Sequence, residues 1–485
     1  MMKKAFYLSF ILALLVLLVY PSGEARAQSS FNLTWTSEIV YFNTSGDTGN
    51  MTVTFYDGAA SYSSNPIAVD PHQSGSLLIG SVSTVPVGFA GSAVISSDVP
   101  VAATYLQFGY TDRNKYSEMI YNSFKANQAG TTFYVPTVLR RAFLGNFVST
   151  VGVQNIDGSQ NIANLLFYRV DETVPTLTQT VTITAQASYV FTMSNPALAS
   201  LGNGFSGSLK ITSTGNIIAA SEETQESGRS AYAFEGVSGG ASIVYVPTML
   251  CNWVGDNGTF TSYYAIQAIG GGATVNFQHL DRDTGATLGT ETGVNIADGA
   301  KVSKNPCEQG VPNDSIGSSV IQATSGQIVV IVKVVAVGPG ACGNASCQSG
   351  TRTAYLGESS GARNVALPLV RWNTDPAAGF RSFIAVMNIG GAPATDIVAT
   401  YYNPNGTVAG TPHILASVAN PLAHLQKANT WTTIAGGPGI VGDFVGAVII
   451  TSDQNVLVTV RNQKNVTGIE VIQFGEDYVG IPFTP

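Results

Sequence analysis

A hydrophobic stretch built around a Val-Pro or Leu-Pro pair returns along this chain at nearly even intervals, and a chain made of such returns folds as an array of like parts. It reads Tyr134-Val135-Pro136-Thr137-Val138-Leu139, then Tyr245-Val246-Pro247-Thr248-Met249-Leu250, then Ala366-Leu367-Pro368-Leu369-Val370, and at the end Gly480-Ile481-Pro482-Phe483, with prolines 111, 121 and 114 residues apart. A second signature places an Ile four residues after a Gly: Gly91 and Ile95, Gly207 and Ile211, Gly317 and Ile321, Gly446 and Ile450. Between the two, strands are expected to end near Asn43, Asn155, Ala268 and Asn388, each followed by an aromatic at Phe55, Phe167, Phe277 and Tyr401.

The local pattern is that of strands. In Met51-Thr52-Val53-Thr54-Phe55-Tyr56 the apolar side chains fall on one face and the threonines on the other, as a half-buried antiparallel strand requires. The β-branched runs Ile328 to Val337 and Val456 to Val460 predict central strands covered on both faces, or strands under a long loop. Ser97-Asp98, Thr214-Gly215-Asn216, Ser325-Gly326 and Asp453-Gln454-Asn455 stand between apolar runs and predict hairpin turns. No stretch after residue 30 keeps a helical period. The fold class is therefore all-β: four tandem immunoglobulin-like antiparallel β-sandwiches of six to eight strands, at 28–132, 133–243, 244–364 and 365–485. A Pro cannot donate to a ladder, so the Val-Pro strands belong on an edge or at a first position, either as first strands or as shared junctions.

Residues 1–27 are expected to be a signal peptide, with Lys3 and Lys4 ahead of the apolar stretch Ala5 to Val19 and a small-x-small site at Ala25-Arg26-Ala27, so that the mature chain starts at Gln28. The apolar stretch is shorter than a bilayer crossing wants and is followed by Pro21 and Gly23, and no later run is long enough to span. The expected location is extracellular or at the cell surface. Charged residues are 11% of the chain, which is 45% apolar, so disorder is excluded. Removing the leader takes the formal charge from −8 to −10, with 19 basic and 29 acidic residues left, which repels nucleic acid.

In size, strand order and turn chemistry, residues 31 to 485 resemble the tandem immunoglobulin-like or fibronectin-type-III-like repeat proteins of bacterial surfaces and secretomes. That resemblance implies a spacer, adhesive or envelope-layer role and transfers no functional residue.

All four cysteines, Cys251, Cys307, Cys342 and Cys347, fall in the third unit. In an exported chain they read as two disulfides, with Cys251–Cys307 and Cys342–Cys347 the favoured pairing and a four-thiolate zinc site the alternative. Catalytic spellings fail on context. Gly202-Asn203-Gly204-Phe205-Ser206-Gly207 has the dinucleotide spacing but leads into a strand. Gly236-Val237-Ser238-Gly239-Gly240 and Gly357-Glu358-Ser359-Ser360-Gly361 have the nucleophile-elbow spacing with no helix behind them. Of the histidines, His279 aligns with Asp57, Arg169 and Asn403 and reads as a solvated strand end. Asp281-Arg282-Asp283-Thr284-Gly285 alternates carboxylates as cation loops do but lacks the closing Glu, and reads as a turn.

Exposed aromatics are the one hint of a ligand: Tyr56, Tyr168 and Tyr402 are expected to project away from the core and could stack on sugars. The resulting expectation is a protein without enzymatic activity or cofactor, structural or adhesive, whose partners are other copies of itself or envelope and matrix components. A carbohydrate-binding accessory protein is the second reading and a β-scaffold hydrolase the third.

Overall fold

The computed structural model describes residues 34–58, 60–110, 116–143, 146–226, 230–255, 258–337, 351–374, 380–464 and 475–484. The expected leader and the Cys342–Cys347 pair lie outside the described residues. Within them the chain is 65% strand, paired antiparallel in the sheets, and its helical residues are confined to short 3-10 turns.

The strands fall into four sets along the chain. The first holds β1 (Thr34–Asn43), β2 (Gly49–Asp57), β3 (Ala60–Ser63), β4 (Ile67–Val69), β5 (Ser74–Leu78), β6 (Ser92–Ser97), β7 (Val101–Tyr110) and β8 (Tyr116–Asn122). The second holds β9 (Gly130–Ala142), β10 (Phe147–Asn155), β11 (Asn161–Arg169), β12 (Leu177–Ile183), β13 (Ser188–Thr192), β14 (Phe205–Gln225) and β15 (Ala231–Glu235). The third holds β16 (Ile243–Cys251), β17 (Trp253–Gly255), β18 (Gly258–Asp281), β19 (Thr287–Ile296), β20 (Lys301–Lys304), β21 (Ser315–Val337) and β22 (Thr351–Leu356). The fourth holds β23 (Ala362–Trp372), β24 (Phe380–Asn388), β25 (Ile397–Tyr402), β26 (His413–Ala416), β27 (Lys427–Thr430), β28 (Phe444–Lys464), β29 (Glu476–Val479) and β30 (Ile481–Pro482).

One pairing scheme recurs in all of them. β1 lies between β5 and β7, β10 between β13 and the end of β14, the start of β18 between β20 and the end of β21, and β24 between β27 and the end of β28. The other sheet pairs β2 with β3, β4 and β6, β11 with β12 and the start of β14, the end of β18 with β19 and the start of β21, and β25 with β26 and the start of β28. Apolar side chains from the two sheets meet between them: in the first set Ile39, Tyr41 and Ala103 from one sheet pack with Met51, Val53, Phe55 and Val69 from the other.

The expected hairpin turns at Thr214-Gly215-Asn216, Ser325-Gly326 and Asp453-Gln454-Asn455 are instead inside single strands, where β14, β21 and β28 leave one sheet and enter the other. An extended backbone that kinks keeps its ladder on both sides, which a hairpin would break. Only in the first set, where Pro100 follows Val99, is the crossing split into β6 and β7.

The sequence signatures have local causes. At Gly91, Gly207, Gly317 and Gly446 a Cβ would strike the carbonyl oxygen of Tyr56, Tyr168, Leu280 and Tyr402, so only glycine lets the crossing strand approach its neighbour. This register puts Asp281 beside Gly317, so Asp281 is the counterpart of Arg169 and Asn403, and the alignment through His279 is corrected by two residues. Pro136, Pro247 and Pro368 each sit where the first strand's register slips, between Val135 and Val138, Val246 and Met249, and Leu367 and Val370. The N–H of the residue three further on is turned inward and is taken by a serine of the next strand: Leu139 by Ser149 at 2.8 Å, Leu250 by Ser262 at 3.1 Å and Arg371 by Ser382 at 2.7 Å. These are first strands.

Pro482 is not a fourth copy. The N–H groups of Gly236, Gly357 and Gly480 bond Ala219, Val330 and Val458, so Gly480 ends the fourth set as the other two end theirs, and Ile481 pairs with Ala366 of its own set.

The sets pack on one another in sequence. The first strands β9, β16 and β23 lie against the following set, on β18 and β21, on β24 and β28, and on β1 and β7. The last strands close a cycle, β8 on β15, β15 on β22, β22 on β29 and β29 on β8. The first and fourth sets are thus neighbours.

Candidate functional site

The chemistry of this molecule is concentrated where the sets meet. Two of the three candidate tyrosines, Tyr168 and Tyr402, belong to these junctions. Tyr168 is 5% exposed, and its ring fills the space a side chain at Gly299 would need. Leu280, its counterpart in the third set, packs with Met387 and Leu425 of the fourth. Tyr402 packs with Phe42 and His72 of the first set, the His72 ring 4.8 Å away. Tyr56 is half-buried. Side chains that alternate out of one sheet are thus taken up by the next set, a contact that periodicity within a strand cannot reveal.

Buried charges cross each of these junctions. Lys333 of the third set donates to Glu223 Oε2 of the second at 2.8 Å and to Thr137 Oγ1 at 3.1 Å, and Tyr232 also bonds Glu223. Lys301 reaches the same Thr137 hydroxyl at 3.2 Å, and burial, with Lys333 close by, pulls its ammonium down to about 7. Lys427, at the same position of the fourth set, is also pulled to about 7, by burial and then by Arg282 and Arg461. Asp477 of the fourth set accepts Thr353 of the third at 2.7 Å while holding Arg461 in a two-point pair.

Where the fourth set meets the first, Arg371 spans two carboxylates, Glu118 Oε1 at 2.9 Å and Glu476 Oε1. Both are almost wholly buried, and burial, then the neighbouring Glu118, raises the Glu476 carboxyl well above its usual range. Arg371, between the two carboxylates, opposes that rise.

Between the first and second sets the contacts are fewer and wetter. Glu222 and Glu235, both half-exposed, are pushed up to about 7 by burial, and Glu358 of the third set, also half-exposed, to about 8 by burial and then by Glu235. Glu235 accepts the Asn122 N–H at 2.5 Å across this seam.

His279 is the functional-looking residue most misjudged from sequence. It is fully buried, not solvated. Its Nε2 donates to Gln309 Oε1 at 2.9 Å, because the Gln309 amide nitrogen is held by Glu291 Oε2 at 2.7 Å, and its Nδ1 accepts from Ser319 at 2.8 Å. Ser319 in turn meets the Tyr264 hydroxyl at 2.8 Å, and Lys304 neutralises Glu291 at 2.5 Å. The chain is satisfied by a neutral imidazole, and burial pulls His279 down to about 4. The signal that could have found it is the alternation itself, since His279 follows Val275 and Phe277 on the inward face, with Ser319 opposite it on β21.

Cys251 and Cys307 form the expected disulfide, their Cα atoms 5.2 Å apart, tying the end of β16 to the turn Pro306–Gln309. In Asp281-Arg282-Asp283-Thr284-Gly285 the carboxylates are spent locally: Asp281 Oδ1 accepts from the Asp283 and Thr284 N–H groups and the Thr284 hydroxyl, and Asp283 pairs with Arg282. No group of three or more acidic, His or Cys residues suited to a metal occurs among the described residues. The dinucleotide-like stretch is a turn with positive φ at Gly202 and Gly204 leading into β14. In the two elbow-like stretches Val237 and Glu358 form single bridges to Tyr134 and Tyr245. No protein-family model matches the chain, and no curated protein matches it in sequence.

Proposed function

We propose that this is an exported, non-catalytic surface protein, built from four immunoglobulin-like sandwich modules at 28–132, 133–243, 244–364 and 365–485, that adheres to other copies of itself or to envelope and matrix components. The observation that carries the proposal is the merging of cores across junctions. Ala265, Ile331 and Ala354 of the third set belong to the core of the second, Leu457 and Val479 of the fourth to that of the third, and Val40, Leu106 and Ile120 of the first to that of the fourth. Such a body holds its loops and edges in fixed relation, as a binding scaffold needs and a flexible tether does not. The basic-apolar-small leader pattern and the Cys251–Cys307 bond suit an oxidising compartment. The packing of Tyr168 and Tyr402 inside junctions favours protein adhesion over sugar stacking as the mode of binding.

The test is export followed by binding. Cells producing the chain are fractionated, the exported form is sequenced from its N-terminus, and the purified protein is applied to envelope preparations, to a glycan array and to a hydrolase panel. Protein starting at Gln28 outside the cytoplasm and retained on envelope protein supports the proposal. Cytoplasmic retention, or turnover on the panel, overturns it.

A further inference from the structure

Among the described residues, the first set shows no counterpart of one strand that the other three have. β14, β21 and β28 each begin between two strands, one being the first strand of the set, whereas β6 pairs only with β2 among the described residues. Because the Asp98 N–H bonds Asn50 O and partners alternate along a ladder, Ser92, Val94 and Ser96 direct their backbone groups to β2. Ala93, Ile95 and Ser97 direct theirs to the open side.

Two further observations locate the same vacancy. Ser37 stands where Ser149, Ser262 and Ser382 accept a first-strand N–H, and its hydroxyl meets Tyr105 instead, at 2.8 Å. The face of the second set that a preceding first strand would cover is also open. Val329, Ile331 and Lys333 in the third set, and Ala102, Thr104 and Leu106 in the first, are buried under β9 and β23, but their counterparts Ile218, Ala220 and Glu222 are half-exposed. Beside them Gln154 is 6% exposed with an unpartnered Nε2, while Gln267, at the same position of the third set, donates to Leu209 O and Gly299 O. The core of the first set accordingly takes in no residue of the second.

We propose that this slot, between β6 and the outer face of β10 and β14, receives an extended segment of another polypeptide by strand addition. Its filled counterparts state the chemistry of the occupant: a run of about ten residues, aromatic or aliphatic, with a proline at the bulge, as in β9, β16 and β23. The inference rests on the export reading, because removal of the leader after Ala27 leaves only Gln28–Leu33 ahead of β1. The connection from β9 to β10 takes residues 143–146 and that from β23 to β24 takes 373–379, so those six residues match the connection alone.

The experiment uses the Gln28–Pro485 protein and a fluorescent synthetic peptide of the β9 sequence, Gly130–Ala142, read by anisotropy and by amide exchange. Saturable one-to-one binding that slows exchange at Ala93, Ile95 and Ser97 is expected. Methylating alternate backbone nitrogens of the peptide, on the edge that pairs with β14 in the intact chain, is expected to weaken it by roughly tenfold or more, as is Ala220→Trp, which fills the slot. The methylated peptide leaves the protein untouched, so its result does not depend on how the variant folds. No binding, or binding indifferent to methylation, overturns the inference while an N-terminus at Gln28 leaves the export reading standing. A retained leader overturns both.

Discussion

The second and third sets turn the same corner by different means. At the end of β10, Asn155 is fully buried and its Nδ2 serves Ser159 O, Ile183 O and Thr184 O, while its Oδ1 caps the Asp157 N–H. Asn43 and Asn388 repeat the arrangement with Asp47, Val69 and Asp70 and with Ala392 and Leu422. In the third set the position is Ala268, and the chain runs on through Gly270, Gly271 and Gly272, all at positive φ, to continue as one long strand. One amide gathering several carbonyls can be replaced by backbone freedom, provided something else restrains the set. There, the Cys251–Cys307 bond and the His279 chain do so.

The difference can be tested by removing each restraint. Replacing Cys251 and Cys307 by Ala opens a loop of sequence separation 56, and chain-entropy reasoning gives a loss of about 4 kcal/mol in denaturant unfolding of the third set. A loss near zero would show that the corner needs no covalent help. Asn155→Ala leaves buried carbonyls unmet and is expected to cost about 3 kcal/mol, whereas Ala268→Asn, lacking the same carbonyls, is expected to bring no gain. Stabilisation by Ala268→Asn would break the comparison.

Acid separates the sets next. His279 has a folded pKa of about 4 against an ordinary 6.5, so the unfolded chain binds more protons between these values and stability falls as pH drops through that window. Going from pH 7 to pH 5 should cost about 2 kcal/mol, and His279→Gln should flatten the slope in thermal melts. The raised carboxylates act with the opposite sign. Glu222 and Glu235, raised to about 7, and Glu358, raised to about 8, bind protons more tightly when folded, so stability falls as pH rises from about 4.5 through those values. The smallest effect is expected at the bulge serines: Ser149→Ala should cost about 1 kcal/mol, and Ser37→Ala, with no backbone N–H to lose, clearly less. Equal losses would mean that the serine contributes nothing special to the proline bulge.

Much of the fold was legible because its causes are local. The alternation of Met51, Val53 and Phe55, the β-branched run of β21 and the recurring glycines each follow from what a strand or a close crossing demands of its own residues. The hairpins expected near Asn216 and Gly326 misled because a polar, glycine-bearing kink inside a strand is spelled like a turn. Tyr168 misled because it points away from its own core and only the next set turns that direction into an interior, and His279 misled because a two-residue misalignment put it at a strand end when it shares the inward face of Val275 and Phe277.

By itself the amino-acid order determined an all-β chain and the course of many of its strands, and it favoured the pairing of Cys251 with Cys307, since these depend on backbone sterics and on residues' intrinsic preferences. Only the tertiary structure decided that the last strands close a cycle, that Arg371 joins the fourth set to the first, and that β6 pairs only with β2 among the described residues. Those features come from surfaces far apart in the chain meeting in space, and no local preference encodes such a meeting.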